Sequence, residues 1–565
     1  MRQPSIICSI IPLVCFYAQA DISGHIADTT THNSIANVKV TIMGSTTSVT
    51  TDPQGNFTLP TTSAIVLHHY SNANPGFQPV IRDNKLSINS SDNILSVSVF
   101  NSKGVRVFYN ASTDHASSFQ LPAFPQGCYS LSVAGADRSE IFRLIMIGGR
   151  TQLLQNGDQF RVPLPALHKT GAVTTFAVAC ENAAYKTREV NVVDSGVNEI
   201  RLVPSASTTY YYFPPVQLDD GIVTGTLKAA SVNQTLMEAA GTKVLNKVNC
   251  HEIHSILVCR DNKLIFEEYF VGNSDTINFE NNIARVTGPQ VQWTRTMKHY
   301  VASATKAITS TVVGMALDKT GLTTDEKVSQ FFPTYSTLFS GRKANITIKH
   351  CLNMQSGLNW NEWTDPITSD LSKMWKSQDF VDFVFSHDGR SDPGTEWVYC
   401  SGLPNVELRL VQTMLGDSTT KFIRQNLLEP LGISDINWEM QPGRVSPEGA
   451  ARMFIRPRDM LKWGLTCLNG GKWAGKQIIP AAWLTTCSNV QANGNYSYHF
   501  WVKTYTYGTK TAKQYSAEGD GGNYVCIFPT LNMVVVFTGG LYLDPSYDPQ
   551  IKDMLENYIL PAVAP

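Results

Sequence analysis

The sequence predicts a multi-domain chain in which small β-sandwich modules precede one larger α+β domain. Three observations predict it. The 565 residues are too many for a single hydrophobic core. Up to about residue 205, short alternating apolar runs are broken by turn residues, as in "NVKVTIMG", "ILSVSVFNSKGVRVFYN" and "EVNVVDSGVNEIRLVPS". Period-two alternation bounded by Gly, Asn, Asp and Pro is a strand signature. Beyond that point, strands at both ends enclose helical stretches, so a sheet is assembled from both ends of the segment. With 42% hydrophobic and 16% charged residues the composition is globular, not disordered. A net charge of -1 and the lack of any basic run give no ground for a nucleic-acid or anionic-membrane partner.

Taken in order, residues 1–20 read as a secretory signal. Arg2 supplies the charge, "SIICSIIPLVCFY" the apolar stretch and "AQA" the cleavage pattern. The stretch is too short to span a bilayer, so no transmembrane segment is expected and the protein is read as exported to the periplasm, cell surface or medium. Cys8 and Cys15 leave with the signal. The nine remaining cysteines form no framework, which leaves room for one or two bridges at most, with Cys400 and Cys526 read as packed thiols. Residues 21–93 carry "ISGHIADTTTHNSIANVKVTIMG" and a "T-D-x-x-G-x-F" turn from Thr51 to Phe57, and this stretch resembles the carboxypeptidase regulatory-like β-sandwich. Residues 94–150, with "VFNSKGVRVF" and "LPAFPQGCYSLSV", resemble the sorting or cell-surface β-module of exported bacterial proteins. A further β-rich segment fills 151–205. These modules read as spacers or surface-display elements, with a cell-envelope component as their partner. Residues 206–220, within "VPSASTTYYYFPPVQLDDG", read as a linker. The last domain, 221–565, opens with a hairpin turning at Asp261-Asn262. It ends with a second hairpin turning at Pro529 to Asn532 and the amphipathic stretch "DPQIKDMLENYILPAV".

Chemistry enters at "YVASATKAITS". From Ala304 onward, Ile308, Val312, Met315 and Ala316 recur at helical spacing, and Gly321 is a stop. Ser303 then falls at the amino end of a buried helix, with Lys306 one turn on along the same face. Free N–H groups and the positive dipole end favour a developing alkoxide there. S-x-x-K alone decides little, since roughly one or two copies arise by chance in such a chain. A second copy, Ser418 and Lys421 in "DSTTKFIRQ", reads as a helix cap followed by a solvated lysine.

Company in the right order separates the two copies. "SDPGTEWVYCSG" places Tyr399 and Ser401 downstream, and "SAEGDGGNYVCIF" gives a Gly-rich entry to an apolar strand. The series resembles the serine β-lactamase-like hydrolases: class C β-lactamases, D,D-peptidases, related esterases and aminohexanoate-dimer hydrolases. The resemblance runs from about Cys250 to Leu560 and includes "ITIKHCLNMQSGLNW" and "RMFIRPRDMLKWGLTCLNGGKWAGKQIIP". It implies an antiparallel sheet flanked by helices, a helical subdomain, and a site between them. It also implies Ser303 as nucleophile, Lys306 as its partner and Tyr399 as the tyrosine of a Y-x-N element, with the choice of base open. The N–H groups of Ser303 and of Asn523, past Gly521-Gly522, become the oxyanion hole. Two departures stand out: Ser401 replaces the asparagine, and Asp520 stands where lactamases carry a lysine, so its carboxylate repels a substrate carboxylate.

Other candidates receive plainer readings. "HEIH" at His251 and His254 sits ahead of a strand and no H-E-x-x-H occurs, so neither a metal nor another cofactor is expected. His299 reads as a surface residue, with a place at the pocket mouth as the alternative, and His350 as a satisfied structural one. Trp360, Trp363, Trp397 and Trp501 read as core or as the lining of an acyl pocket. Asp52 in "DPQGN" reads as a turn residue, with calcium binding as the alternative. The sequence thus describes an exported serine hydrolase acting on a small, non-carboxylate acyl substrate by way of an acyl-enzyme. The alternatives are a surface-binding protein with a retired hydrolase domain, or a D,D-peptidase or β-lactamase.

Overall fold

The computed structural model describes residues 21–60 and 175–563, apart from a few loop positions, together with the backbone of strands between 77 and 153. The signal-like segment lies outside the described residues. Two compact units emerge, Met1–Leu202 and Val203–Pro565.

In the first unit, Ile22–Asp28 pairs in parallel with Val197–Leu202 and antiparallel with Asn56–Leu59. A second sheet joins Tyr185–Val193, Thr175–Asn182, Lys39–Ile42 and Ser48–Thr50. One core serves both sheets, with Ile22, Ile26, Phe57, Ile200 and Leu202 meeting Val40, Val178, Cys180 and Val192. This pairing redraws the expected boundaries at 93 and 150. The strands within 22–59 are short, and their inward-facing residues are covered only when 175–202 returns to complete both sheets. Between them, strands from 77 to 153 form separate three- and five-stranded sheets.

The second unit is built on one sheet. Its strands are β1 (Val223–Thr224), β2 (Ile253–Arg260), β3 (Lys263–Tyr269), β4 (Tyr496–Ser497), β5 (Phe500–Tyr507), β6 (Lys510–Gly519), β7 (Asn523–Phe528) and β8 (Met533–Gly539). The order is β1-β3-β2-β8-β7-β6-β5-β4. The β2–β8 pair, with Ile256 opposite Phe537 and Val258 opposite Val535, brings the two ends of the segment together as the sequence predicts. Runs such as "VCIF" and "VVVF" are buried on both faces because helices cover both. On one face lie α1 (Gln234–Leu245) and the closing helical segment from Tyr547. On the other lie α2 (Thr305–Thr320), α3 (Gly402–Leu415) and α4 (Pro457–Leu468). Helix α2 is apolar around most of its girth because it is central: every residue from Thr305 to Leu317 is buried. Gly464 lets α4 approach the sheet, since a Cβ there would meet Val525 Cγ1 at 2.7 Å and Val534 Cγ1 at 2.9 Å.

The stretch expected to be a linker is part of this unit. Tyr210 is buried against Gly241 of α1 and lies 5.8 Å from the Phe266 ring. The Tyr212 hydroxyl donates to Ile265 O (2.9 Å) and accepts from Leu227 N (3.1 Å). Arg458, buried in α4, grips Glu267 with two bonds of 2.7 Å while donating to Asp220 (2.7 Å) and Val216 O (2.9 Å). Turn-rich composition reads as a linker, but the tyrosines carry too much apolar surface to stay solvated. The eight described cysteines are buried thiols rather than bridges.

Candidate active site

Ser303 lies in the 3-10 turn Ala302–Ala304 that opens α2. Ala302 has φ +45°, a left-handed conformation that costs a residue with a Cβ about 1–2 kcal/mol. Surrounding bonds enforce it. Val301 N donates to Met453 O (3.0 Å), Ala304 N to Val301 O (3.1 Å) and Thr305 Oγ1 to Ala302 O (2.8 Å). The outcome is a partly exposed hydroxyl flanked by buried residues.

Lys306 is buried and donates from Nζ to Ser303 Oγ (2.9 Å) and to Ala450 O (3.0 Å). Its Nζ also lies 5.0 Å from the centre of the Tyr399 ring. A carbonyl can only accept, so the bond to Ala450 O consumes one N–H and orients the rest of the amine toward Ser303. Three residues expected to act together are therefore adjacent.

Two carboxylates that no motif announces hold this arrangement. Glu448 is buried and accepts five N–H donors. They are the backbone of Ala450, Ala451 and Arg452 (3.1, 2.7 and 2.8 Å), Asn405 Nδ2 (2.9 Å) and Trp375 Nε1 (3.2 Å). It thereby fixes the loop whose Ala450 carbonyl holds Lys306. Glu362 accepts from Ser401 Oγ and N (2.7 Å each) and from Trp360 Nε1 (2.6 Å), which pins the loop that carries Tyr399. Burial pushes the Glu362 carboxyl above its ordinary range, opposed by the charge of Lys306 and by these donors. Ser401 is thus a brace for Glu362. The glutamates escaped sequence reading because "NWNEWTD" and "SPEGAARM" carry no spacing that distinguishes them from surface residues.

The Gly-rich turn meets the serine through Gly519, two residues ahead of the expected Gly521-Gly522 pair. A Cβ on Gly519 would sit 2.1 Å from Val301 O, 2.9 Å from Ala304 N and 3.2 Å from Ser303 N. Gly521 and Gly522, with φ of +83° and +88°, form the turn itself. Asn523 stands across from Gly519 on β7, and its side chain braces the turn by donating to Asp520 O (2.9 Å) and Gly539 O (3.1 Å). The carboxylate of Asp520, expected to face the substrate, is held by backbone amides. It accepts from Gly521 N (3.0 Å), the amide next along the turn, and from Leu543 N (3.0 Å), 23 residues further along the chain. Burial pushes its pKa up to about 6, with those two amides opposing.

The remaining candidates disperse. Trp363, Trp397 and Trp501 surround Tyr399 at ring-centre distances of 5.5, 5.9 and 6.3 Å, while Trp360 is core. His299 is fully buried rather than exposed, stacked 3.9 Å from Trp293, and burial drives its pKa down to about 3. His350 closes a capping box with Thr347. Ser418 caps its helix and Lys421 is solvated beside Asp417.

A hydroxyl at the amino end of a helix, one hydrogen bond from an amine and close to a phenol, is an arrangement suited to nucleophilic chemistry. Comparison with known proteins bears on that geometry. The family described as Beta-lactamase matches residues 254–540. A monacolin J acid methylbutanoyltransferase of Aspergillus terreus is 25% identical over 158 residues, 25% of this chain and 38% of that protein. Protein flp of Staphylococcus aureus is 26% identical over 153 residues, 26% of this chain and 30% of its own. The chain therefore spans under two fifths of the length of these curated relatives. Among solved structures, EstCE1, a hydrolase with promiscuous acyltransferase activity, is 14% identical with a TM-score of 0.46 over 58% of this chain and 99% of that one. Simvastatin synthase from Aspergillus terreus is 16% identical with a TM-score of 0.44 over 60% and 98%.

Proposed function

This chain belongs to the Beta-lactamase family, and on that premise we propose that it is a serine hydrolase cleaving ester or amide bonds of a small acyl substrate. The observation that carries the reading is the 2.9 Å bond between Lys306 Nζ and Ser303 Oγ, with Ala450 O and Tyr399 holding the amine in place. Ser303 Oγ attacks the acyl carbonyl and its proton passes to the Lys306–Tyr399 pair. Backbone N–H groups of Ser303 and of the turn from Gly519 to Asn523 stabilise the oxyanion. Collapse expels the alcohol or amine, which takes up that proton. Water then attacks the acyl-enzyme, the carboxylic acid leaves, and Ser303 regains its proton.

The preference for substrates without a carboxylate rests on the cations nearby. Lys306 is committed to Ser303 and Ala450, and Lys503 is paired with Glu518 (2.6 Å) and Asp548 (3.4 Å). A second reading, acyl transfer to an alcohol in place of water, is favoured by the transferase among the relatives. Export, and attachment to an envelope component through the β-rich first unit, complete the proposal.

A fluorophosphonate probe tests it. Labelling of the wild type that disappears in Ser303→Ala is expected. Absence of labelling in wild type would favour the binding-protein alternative.

A further inference from the structure

Among the described residues, the most exposed large apolar side chain is Trp363, at 75% exposure. It does not sit at a frayed end. Trp363 N donates to Asn361 Oδ1 (3.1 Å), and Asn361 N donates to Asp370 Oδ2 (2.7 Å) while its carbonyl accepts from Asp370 N (3.0 Å). The residue before it, Glu362, is clamped to Ser401 and Trp360. The indole is therefore held in water on a fixed backbone, at 5.5 Å from the ring of Tyr399. Behind it stand Trp397 and Trp501, both partly buried, and the buried Tyr496, with Trp501 and Tyr496 4.9 Å apart.

An ordered indole left in water beside a proposed proton-transfer group suits binding better than folding, because its burial is withheld until something covers it. We propose that Trp363, with Trp397 and Trp501, forms a subsite around Tyr399 for a planar aromatic portion of the substrate. This rests on the serine hydrolase reading and names the substrate class for it. The neighbours choose the chemistry. Stacked and edge-on rings favour a flat aromatic group over an alkyl chain of similar size, by an amount on the order of tenfold in binding. Among the described residues, the cation over the three indoles is Lys503, 5.6 Å from Trp501 and neutralised by Glu518, and Lys306 over Tyr399 is committed to Ser303 and Ala450, so the subsite asks for a neutral group.

The test uses two ester pairs matched for carbon number and leaving-group reactivity: 2-phenylethyl acetate against octyl acetate, and methyl 3-phenylpropionate against methyl nonanoate. The first pair probes the alcohol side and the second the acyl side. Wild type is expected to favour the aromatic member of at least one pair by about tenfold or more in kcat/KM. Trp363→Ala should bring that ratio close to one and Trp363→Phe should keep most of it. Equal rates within both pairs, or a ratio that survives Trp363→Ala, would overturn the proposal. Binding of the same esters to Ser303→Ala, measured by calorimetry with and without Trp363→Ala, keeps the two readings apart. Absence of any aromatic preference in binding to Ser303→Ala, or a preference that Trp363→Ala leaves intact, sinks the subsite whatever the catalytic result. Aromatic binding that depends on Trp363, without turnover in the wild type, sinks the hydrolase reading instead and leaves the subsite standing.

Discussion

The chain holds the same serine–lysine spacing twice, and the two copies have opposite fates. At Ser418 the hydroxyl accepts from Lys421 N at 3.3 Å and starts a helix, while Lys421 reaches back to Asp417 at 2.8 Å in open solvent. At Ser303 the hydroxyl is met by the lysine amine itself, and that amine is buried under Ala450 and Tyr399. The spacing is identical, so it cannot be what makes a nucleophile. What differs is the surrounding chain. The first lysine is held by a loop from 448 to 452, and its serine turn is faced by a sheet end at Gly519. The second has only its own helix. An exposed ion pair of that kind contributes little, whereas a buried amine must find partners or destabilise the fold.

The largest expected effect follows from that contrast. Ser303→Ala, Lys306→Ala and Tyr399→Phe should each lower kcat on a short neutral ester by at least about a hundredfold, because the three act as one proton-transfer unit. Ser418→Ala and Lys421→Ala should leave kcat near wild type, with Ser418→Ala costing about 1 kcal/mol of stability from a lost cap. Steady-state kinetics beside urea denaturation separates the two. An essential second copy with a dispensable first would reverse the assignment.

A glycine beside each copy sharpens the comparison. At Gly519 an added methyl would meet backbone of the nucleophile turn, which has no side chain to swing away. Gly519→Ala is expected to lower kcat roughly a hundredfold by displacing Ser303, the scale of a misplacement of about 1 Å. Gly416, just before the second copy, has open space around it and only its φ of +60° to satisfy. Gly416→Ala should cost about 1 kcal/mol of stability and no activity.

Glu448 gives a smaller effect of a different kind. It reaches Ser303 only through Ala450 and Lys306, so Glu448→Gln should lower kcat about tenfold while KM stays within about twofold, the mark of lost positioning. In a Lys306→Ala background the same change should cost no further labelling by a fluorophosphonate, since the two act in series. Additive losses would make Glu448 a purely structural residue.

How much of this was legible follows the same line. The sheet was readable because its hairpins and apolar runs are local, and α2 because its period is strong. The meeting of Ser303, Lys306 and Tyr399 was readable because they lie in short, ordered motifs. Glu362 and Glu448 were not, because each is defined by donors from elsewhere in the fold: Ser401 lies 39 residues from Glu362, and Asn405 lies 43 from Glu448. The same reason hid the return of 175–202 to the first strands and the docking of Tyr210. Asp520 was visible as a residue but not in its direction, since sequence does not say whether a turn carboxylate faces the substrate or its own amides.

The smallest expected effect compares two aspartates, one near each copy. Asp417 is held below its ordinary range first by its hydrogen bond to Lys421, so what it contributes to stability is present above its unfolded value of 3.8 and lost as pH falls. Asp520 runs the other way. Burial raises it to about 6, so the folded state binds its proton more tightly than the unfolded state does. Its contribution is full below 3.8 and is lost as pH rises toward 6. A shift from 3.8 to about 6 corresponds to at most about 3 kcal/mol, and to about 1 kcal/mol once water at this partly exposed site is allowed for. Urea midpoints at pH 4 and pH 7 read it directly. Asp520→Asn keeps an acceptor for Gly521 N but cannot ionise, so it should gain on wild type by about 1 kcal/mol in going from pH 4 to pH 7. Asp417→Asn should fall slightly behind wild type over the same interval. If Asp520→Asn follows the wild-type pH profile instead, the carboxylate is as well solvated as Asp417, and it stands free to face the cleft after all.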